Sequence, residues 1–124
     1  MPRSVLVVSP DRDLFNSVRA VLATDDRFTD AGGLVHCDGE AAPLTNIHPV
    51  TLSTAEWEGW KRADGGMPTP ASMRALIFEC RSPEWVAEVG TLLAAGLKAP
   101  VWIVDSADHV WLADQVDPHR LALA

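Results

Sequence analysis

The sequence has little positive charge and no long apolar run. Its 124 residues contain 10 Lys and Arg against 17 Asp and Glu, which gives a formal net charge of −7 and a pI of about 4.8. Phosphate binding requires clustered Lys and Arg, so this balance argues against nucleic acid and anionic membranes as partners. No apolar run approaches the roughly 20 residues of a membrane-spanning helix. The negative charge favours a basic protein as the partner. The alternative is that a net charge of this size only keeps a small protein soluble.

Cysteine is also scarce. Cys37 and Cys80 do not form a CxxC pair, and no signal sequence precedes them, so we expect a cytoplasmic protein with two reduced thiols. His36, Cys37 and Asp38 are adjacent, but neighbouring strand residues point to opposite faces and do not readily share one metal ion. The sequence lacks the short motifs of nucleotide-binding, serine-hydrolase and zinc-protease sites. It therefore predicts no metal, no cofactor and no enzymatic activity.

What the sequence does contain is a strand–helix pattern that occurs twice. Val5–Val8 and Ala75–Phe78 are continuous apolar runs, typical of strands that are buried on both faces in parallel sheets. Ser9-Pro10 and Ser82-Pro83 follow them, and Ser is a favourable helix N-cap while Pro is favoured at the first helical position. Apolar residues with helical spacing come next. The pattern predicts two strand–helix units with right-handed crossovers, in one domain that covers residues 1–124.

The remaining segments are less regular. Asp38–Pro49 is predicted to be a loop because of its Gly, Pro and Asn residues, and the capping box Ser53–Glu56 predicts a short helix that begins near Thr54. Val101–Val104 and Val110–Leu112 flank a five-residue loop, which predicts a β-hairpin. The predicted fold class is α/β, with a mostly parallel central sheet, flanking helices and a C-terminal antiparallel β-hairpin.

Acidic residues and tryptophans concentrate in two segments. The stretch from Asp25 to Trp60 has seven acids and one base, and the stretch from Asp105 to Asp117 has four acids and no base. Trp57 and Trp60 share one face of the predicted short helix, which suits either packing on the sheet or a binding surface, since tryptophan is enriched at binding hot spots. The candidate partner-binding residues are Asp38, Glu40, Glu56, Trp57, Glu58, Trp60, Asp105 and Asp108.

The segments Val5–Leu22 and Ala75–Val104 resemble the receiver domains of two-component signalling. The resemblance implies a flavodoxin-like layout without the chemistry of the family. Receivers have a metal-binding acid pair directly after the first strand, where this sequence has Ser9-Pro10, and the acid nearest to the phosphoacceptor position is Glu79 instead of an aspartate. This likeness implies a regulatory interaction domain that is not phosphorylated.

The segment Arg74–Leu121 resembles bacterial immunity proteins of polymorphic toxin systems, including the contact-dependent growth inhibition type. The likeness lies in the order of Leu76–Glu84, the predicted helix, Val101–Asp105, Val110-Trp111 and Asp117-Pro118. Members of this group are small, acidic, single-domain proteins of the cytosol that bind one cognate toxin and block it. The resemblance implies an immunity protein that neutralises a basic toxin domain, with a nuclease as the expected toxin.

A third hypothesis is a small enzyme or a ligand-binding domain. Open parallel sheets bind ligands at the carboxyl ends of their strands. In the predicted sheet that edge gathers a set of polar residues, namely Ser9, Asp11, Glu79, Arg81 and Asp105.

Overall fold

Eight strands of one sheet and two helices account for the regular structure of the residues that the computed structural model describes, which are 3–53, 60–62 and 73–123. The strands are β1 (Ser4–Ser9), β2 (Thr29–Asp30), β3 (Val35–Cys37), β4 (Thr45–Val50), β5 (Lys61–Arg62), β6 (Arg74–Glu79), β7 (Trp102–Val104) and β8 (His109–Leu112). The helices are α1 (Leu14–Leu22) and α2 (Pro83–Gly96). The strand order across the sheet is β2-β3-β4-β6-β1-β7-β8-β5.

The central strands run antiparallel, so the predicted mostly parallel sheet is wrong. β1 and β6 are neighbours but antiparallel, and β1 is also antiparallel to β7. β4 is antiparallel to β6, and among the described strands only β5 and β8 form a parallel pair. With α1 and α2, the four strands β4, β6, β1 and β7 form two interleaved split βαβ units, the ferredoxin-like arrangement. In this arrangement an antiparallel strand separates the two parallel strands that each helix connects.

The strand direction predicted from the sequence is wrong because β1 is buried on both faces. Val7 and Val8 are both fully buried although they face opposite sides of the sheet. Val7 packs in the main core with α1 and α2, whereas Val8 belongs to a second cluster with Trp60 and Trp102. A strand that is covered on both faces has a continuous apolar sequence whatever the direction of its neighbours, and this sequence pattern therefore carries no information on direction.

The predicted loop over Asp38–Pro49 is also wrong in its second half, because residues 45–50 form β4. The ladder between β3 and β4 ends at Ile47, whereas the ladder between β4 and β6 continues to Val50. Pro49 therefore lies past Val35, the first residue of β3, where β4 has a neighbour on one side only. Proline is tolerated at such edge positions because one side of the backbone needs no partner.

Two local predictions at the C-terminal side are confirmed. β7 and β8 form the antiparallel hairpin. α2 begins at Pro83, and the N-cap Ser82 accepts a hydrogen bond on its Oγ from the backbone N–H of Trp85 at 3.2 Å. The short helix predicted from Thr54 lies outside the described residues. Neither α1 nor α2 combines the length and the apolar character needed to cross a membrane.

Candidate binding surface

Three loops and the start of β1 meet at one end of the sheet, which we call the cleft end. β4 begins beside the end of β6, since Asn46 pairs with Glu79, and β1 begins at the same level, since Ser4 also pairs with Glu79. β7 ends near the start of β1 because it is antiparallel to it. The cleft end therefore comprises Arg3, the β3–β4 loop (38–44), the β6–α2 turn (80–82) and the β7–β8 loop (105–108).

A cleft of about 550 Å³ opens at this end. Leu44, which is 60% exposed, is the one exposed large apolar side chain among the described residues, and it lines this cleft. A single exposed leucine is ordinary, but the same loop carries two exposed acids, Asp38 and Glu40. The residues lining the cleft are Arg3, Pro43, Leu44, Asn46, Glu79, Cys80, Arg81 and Ser82.

The first half of the β3–β4 loop is held by a local turn. The Asp38 carboxylate accepts a hydrogen bond on Oδ1 from the backbone N–H of Glu40 at 3.0 Å. Gly39, between them, has a φ of 92°, a conformation that side chains disfavour and glycine adopts without strain. This turn therefore holds the Asp38 carboxylate against the backbone of Glu40.

The second half of the loop is anchored to the core. The Thr45 hydroxyl is buried, donates to the carbonyl of Pro43 at 2.7 Å and accepts from the Trp85 indole N–H at 2.8 Å. Trp85 is itself buried in the main core on α2. Leu44 lies between Pro43 and Thr45, which this hydrogen bond joins, so the exposed leucine is presented by a loop of defined shape.

Polar side chains occupy the sheet face beside the cleft. His48 Nε2 lies 3.3 Å from Glu79 Oε1, and His36 Nδ1 lies 2.9 Å from Asn46 Oδ1. All four side chains are half-buried. Sequence reasoning did not select His48, Asn46 or Leu44, because the segment that contains them was predicted to be an irregular loop.

The two arginines of the cleft differ from the two arginines of the described residues that form ion pairs. Arg19 pairs with Asp30, and Arg27 pairs with Asp25 and Glu88. Arg3 and Arg81 are exposed and form no ion pair within the described part of the chain. Their guanidinium groups are therefore available at the cleft.

The two predicted contact acids of the hairpin have different environments. Asp108 is exposed at the tip of the β7–β8 loop, with a φ of 64°. Asp105 is buried, and its carboxylate accepts hydrogen bonds from the backbone N–H groups of Ala107, His109 and Ala122 and from the indole N–H of Trp111. The structure thus places Asp105 inside the hairpin and not on a contact surface.

Trp60 is also placed in the interior. It is 8% exposed and packs in the second cluster with Val8, Met73 and Trp102, on the sheet face away from the helices. Of the two roles that the sequence allowed for Trp60, packing on the sheet and binding a partner, its position matches packing on the sheet. The other three candidates of this segment, Glu56, Trp57 and Glu58, lie outside the described residues.

The polar edge expected for an enzyme is assembled only in part, because Glu79, Arg81 and Asp105 lie at the cleft end whereas Ser9 lies at the opposite end. Ser9 pairs with Arg74, whereas Glu79 pairs with Ser4, five residues away along β1. At about 3.4 Å per residue, Ser9 and Glu79 are about 17 Å apart along the sheet. Because β1 and β6 are antiparallel, their carboxyl ends lie at opposite ends of the sheet and cannot form one site.

The cysteines do not supply a nucleophile. Cys80 contributes to the cleft lining but is 3% exposed, and burial raises the pKa of its thiol to about 11. Burial also raises the pKa of the Cys37 thiol. Both thiols therefore stay protonated near neutral pH, and thiols are far weaker nucleophiles than thiolates. The described residues contain no group of three metal-ligating side chains.

Comparison of the chain with protein families, with curated proteins and with solved structures finds no match.

Proposed function

We propose that this protein is an immunity-type inhibitor that binds a basic toxin domain, with a nuclease as the expected class, and blocks its activity. The observation that carries the proposal is the β3–β4 loop, which presents the exposed Leu44 at the cleft and carries the exposed acids Asp38 and Glu40. The net charge of −7 and the resemblance of Arg74–Leu121 to immunity proteins support it.

The loop combines the two ingredients of a specific contact. Burying a leucine side chain against a partner contributes about 1.5–3 kcal/mol. Acids around an apolar anchor speed the encounter with a basic partner and disfavour acidic ones. The loop is already held by Asp38 and Thr45, so little conformational freedom is lost on binding.

Asp108, the exposed acid of the second predicted patch, extends the same surface. Asp38 directly follows β3 and Asp108 directly precedes β8, and β3, β4, β6, β1, β7 and β8 are consecutive in the sheet. Five strand spacings of about 4.8 Å separate β3 from β8, which gives about 24 Å. A partner that buries about 800 Å² on this protein spans that distance. The contact surface we propose therefore contains Asp38, Glu40, Leu44 and Asp108.

The alternative of a receiver-like regulatory domain loses its basis. That alternative depended on a parallel flavodoxin-like layout, and the central strands are antiparallel. The charge and the exposed loop favour recognition of a basic protein without requiring that layout.

The test is binding to, and protection against, a basic toxin domain encoded beside this chain. Leu44→Asp should weaken affinity at least about tenfold, because it removes the apolar anchor. Charge reversal at Asp38 and Glu40 should slow association most at low salt. Asp114→Lys is the matched control, because Asp114 is exposed after β8 at the opposite end of the sheet. If the three contact-surface changes and the control all left affinity, rate and protection unaltered, the assigned surface would be wrong.

A further inference from the structure

The cleft carries positive charge in a chain that is otherwise acidic. Arg3 and Arg81 both line it, and their backbones are adjacent, because the N–H of Cys80 donates to the carbonyl of Arg3 at 3.0 Å. Neither guanidinium pairs with an acid of the described residues. Two unpaired arginines beside one cleft favour an anionic ligand, and the planar guanidinium matches a carboxylate with two parallel hydrogen bonds.

The start of α2 adjoins the cleft but is not the source of this preference. Ser82 already caps the helix by accepting from the N–H of Trp85, and its hydroxyl lies 3.4 Å from Glu84 Oε2. The first helical turn is thus already supplied with a cap and an acid. Binding of an anion is assigned to the two arginines.

One acid also lines the cleft, and its charge opposes the binding of an anion. Glu79 Oε1 lies 3.3 Å from His48 Nε2, so this carboxylate oxygen faces a partner on β4 instead of open solvent. Its side chain is 22% exposed. The exposed charges of the cleft lining are therefore those of Arg3 and Arg81.

We propose that the cleft binds a carboxylate that adjoins an aliphatic group, with Arg3 and Arg81 on the carboxylate and Leu44 on the aliphatic part. A polypeptide partner supplies this chemistry as an acidic side chain beside an apolar residue or as an aliphatic C-terminal residue. The assignment rests on the proposed function for the nature of the partner and refines it, because it places one acidic group inside an otherwise basic contact. The cleft assignment is tested with small carboxylates and the proposed function with a toxin domain, so each can fail without the other.

The probes are 4-methylpentanoate, acetate and inorganic phosphate, titrated into the full chain and followed by amide NMR shifts at constant ionic strength. We expect saturable shifts that centre on residues 79–82, with 4-methylpentanoate binding about tenfold tighter than acetate because its methyl groups contact Leu44. Arg3→Gln and Arg81→Gln should each weaken its binding about fivefold. Arg12→Gln is the matched control, because Arg12 is an exposed arginine at the opposite end of the sheet.

Leu44→Ala separates the two parts of the site. It should reduce the preference for 4-methylpentanoate over acetate to about threefold or less, while the affinity for acetate stays unchanged. The proposal is overturned if phosphate binds more tightly than 4-methylpentanoate, if Arg3→Gln and Arg81→Gln act no more than Arg12→Gln, or if the shifts match those caused by chloride. If the protein bound the probes as expected but bound no toxin domain, only the proposed function would be contradicted. Circular dichroism of each variant verifies that it is folded.

Discussion

Asp105 joins the β7–β8 hairpin to the segment that follows it. Oδ1 accepts from the backbone N–H groups of Ala107 and His109 at 3.0 Å, and Oδ2 accepts from the Trp111 indole at 3.0 Å and from the N–H of Ala122 at 3.2 Å. Asp105→Asn replaces one acceptor oxygen by an NH₂ group, so two donors lose their acceptor. We predict a loss of about 2–4 kcal/mol in the free energy of unfolding, measured by urea denaturation.

The control for this prediction is Asp108→Asn in the same hairpin. Asp108 is exposed, and asparagine tolerates its positive φ as well as aspartate does. This variant should change stability by less than about 0.5 kcal/mol. Equal effects of Asp105→Asn and Asp108→Asn would show that the buried carboxylate does not organise the hairpin.

Asp25 makes the stability of the fold depend on pH. Arg27 donates to both of its carboxylate oxygens, at 2.9 Å from Nε and 2.6 Å from Nη2, and lowers the pKa of Asp25 to about 2. The unfolded value is about 3.9, so the folded state gains stability that is fully present above about pH 4 and is lost as the pH falls toward 2. The destabilisation caused by Asp25→Asn should therefore shrink between about pH 5 and about pH 2.5. Asp26→Asn, at the exposed neighbour, is the control in the same denaturation series and should destabilise less than Asp25→Asn at pH 5.

At the scale of elements, two glycines of α2 differ in what surrounds them. A Cβ at Gly90 would lie 2.2 Å from the carbonyl oxygen of Ala113, which belongs to the backbone, whereas a Cβ at Gly96 would meet the Val21 methyl groups at 2.7 and 2.8 Å. Alanine gains about 1 kcal/mol of helix propensity over glycine at either position. Gly90→Ala should still destabilise by about 2–3 kcal/mol, because α2 must move away from the backbone of Ala113.

Gly96→Ala is the comparison, because Val21 can move its methyl groups. Its net effect should stay within about 1 kcal/mol. Urea denaturation of both variants decides the point. A similar loss for the two would mean that α2 is no more closely packed at Gly90 than at its C-terminal end.

The helices could be predicted from local sequence signals such as the Ser-Pro dipeptides, but the first residue of each helix was less certain. Ser82 caps α2 as its sequence indicates, but the same dipeptide at Ser9-Pro10 does not begin a helix. Ser9 is the last residue of β1, its Oγ accepts from the N–H of Asp11 at 3.3 Å, and Asp13 precedes α1. A cap motif thus identifies a helix that follows nearby, and its exact start depends on where the preceding strand ends.

At the scale of the whole molecule, the directions of the strands and their order in the sheet were not predictable from the sequence. β4 decides the topology, because it pairs with β6 and so sets the order β4-β6-β1-β7. Its sequence includes Pro49, which indicates a loop unless the neighbouring strand is known to end before it. The candidate surface depends on the directions of β3 and β7, which both end at the cleft end and so bring the loop of Asp38 and Glu40 to the end that carries Asp108.

The same topology predicts that the sheet contributes to stability through both of its faces. Val7 faces α1 and α2, and Val8 faces the cluster of Trp60 and Trp102, and both side chains are fully buried. Val7→Ala and Val8→Ala should each lower the free energy of unfolding by about 2 kcal/mol, since each leaves a cavity in a packed cluster. Leu6→Ala, on the same face as Val8 but half-exposed, should cost less than Val8→Ala despite removing more atoms. The measurement is urea denaturation of the three variants. If Val8→Ala were neutral while Val7→Ala was costly, the face away from the helices would be open to water, and the packing of Trp60 against it would be wrong.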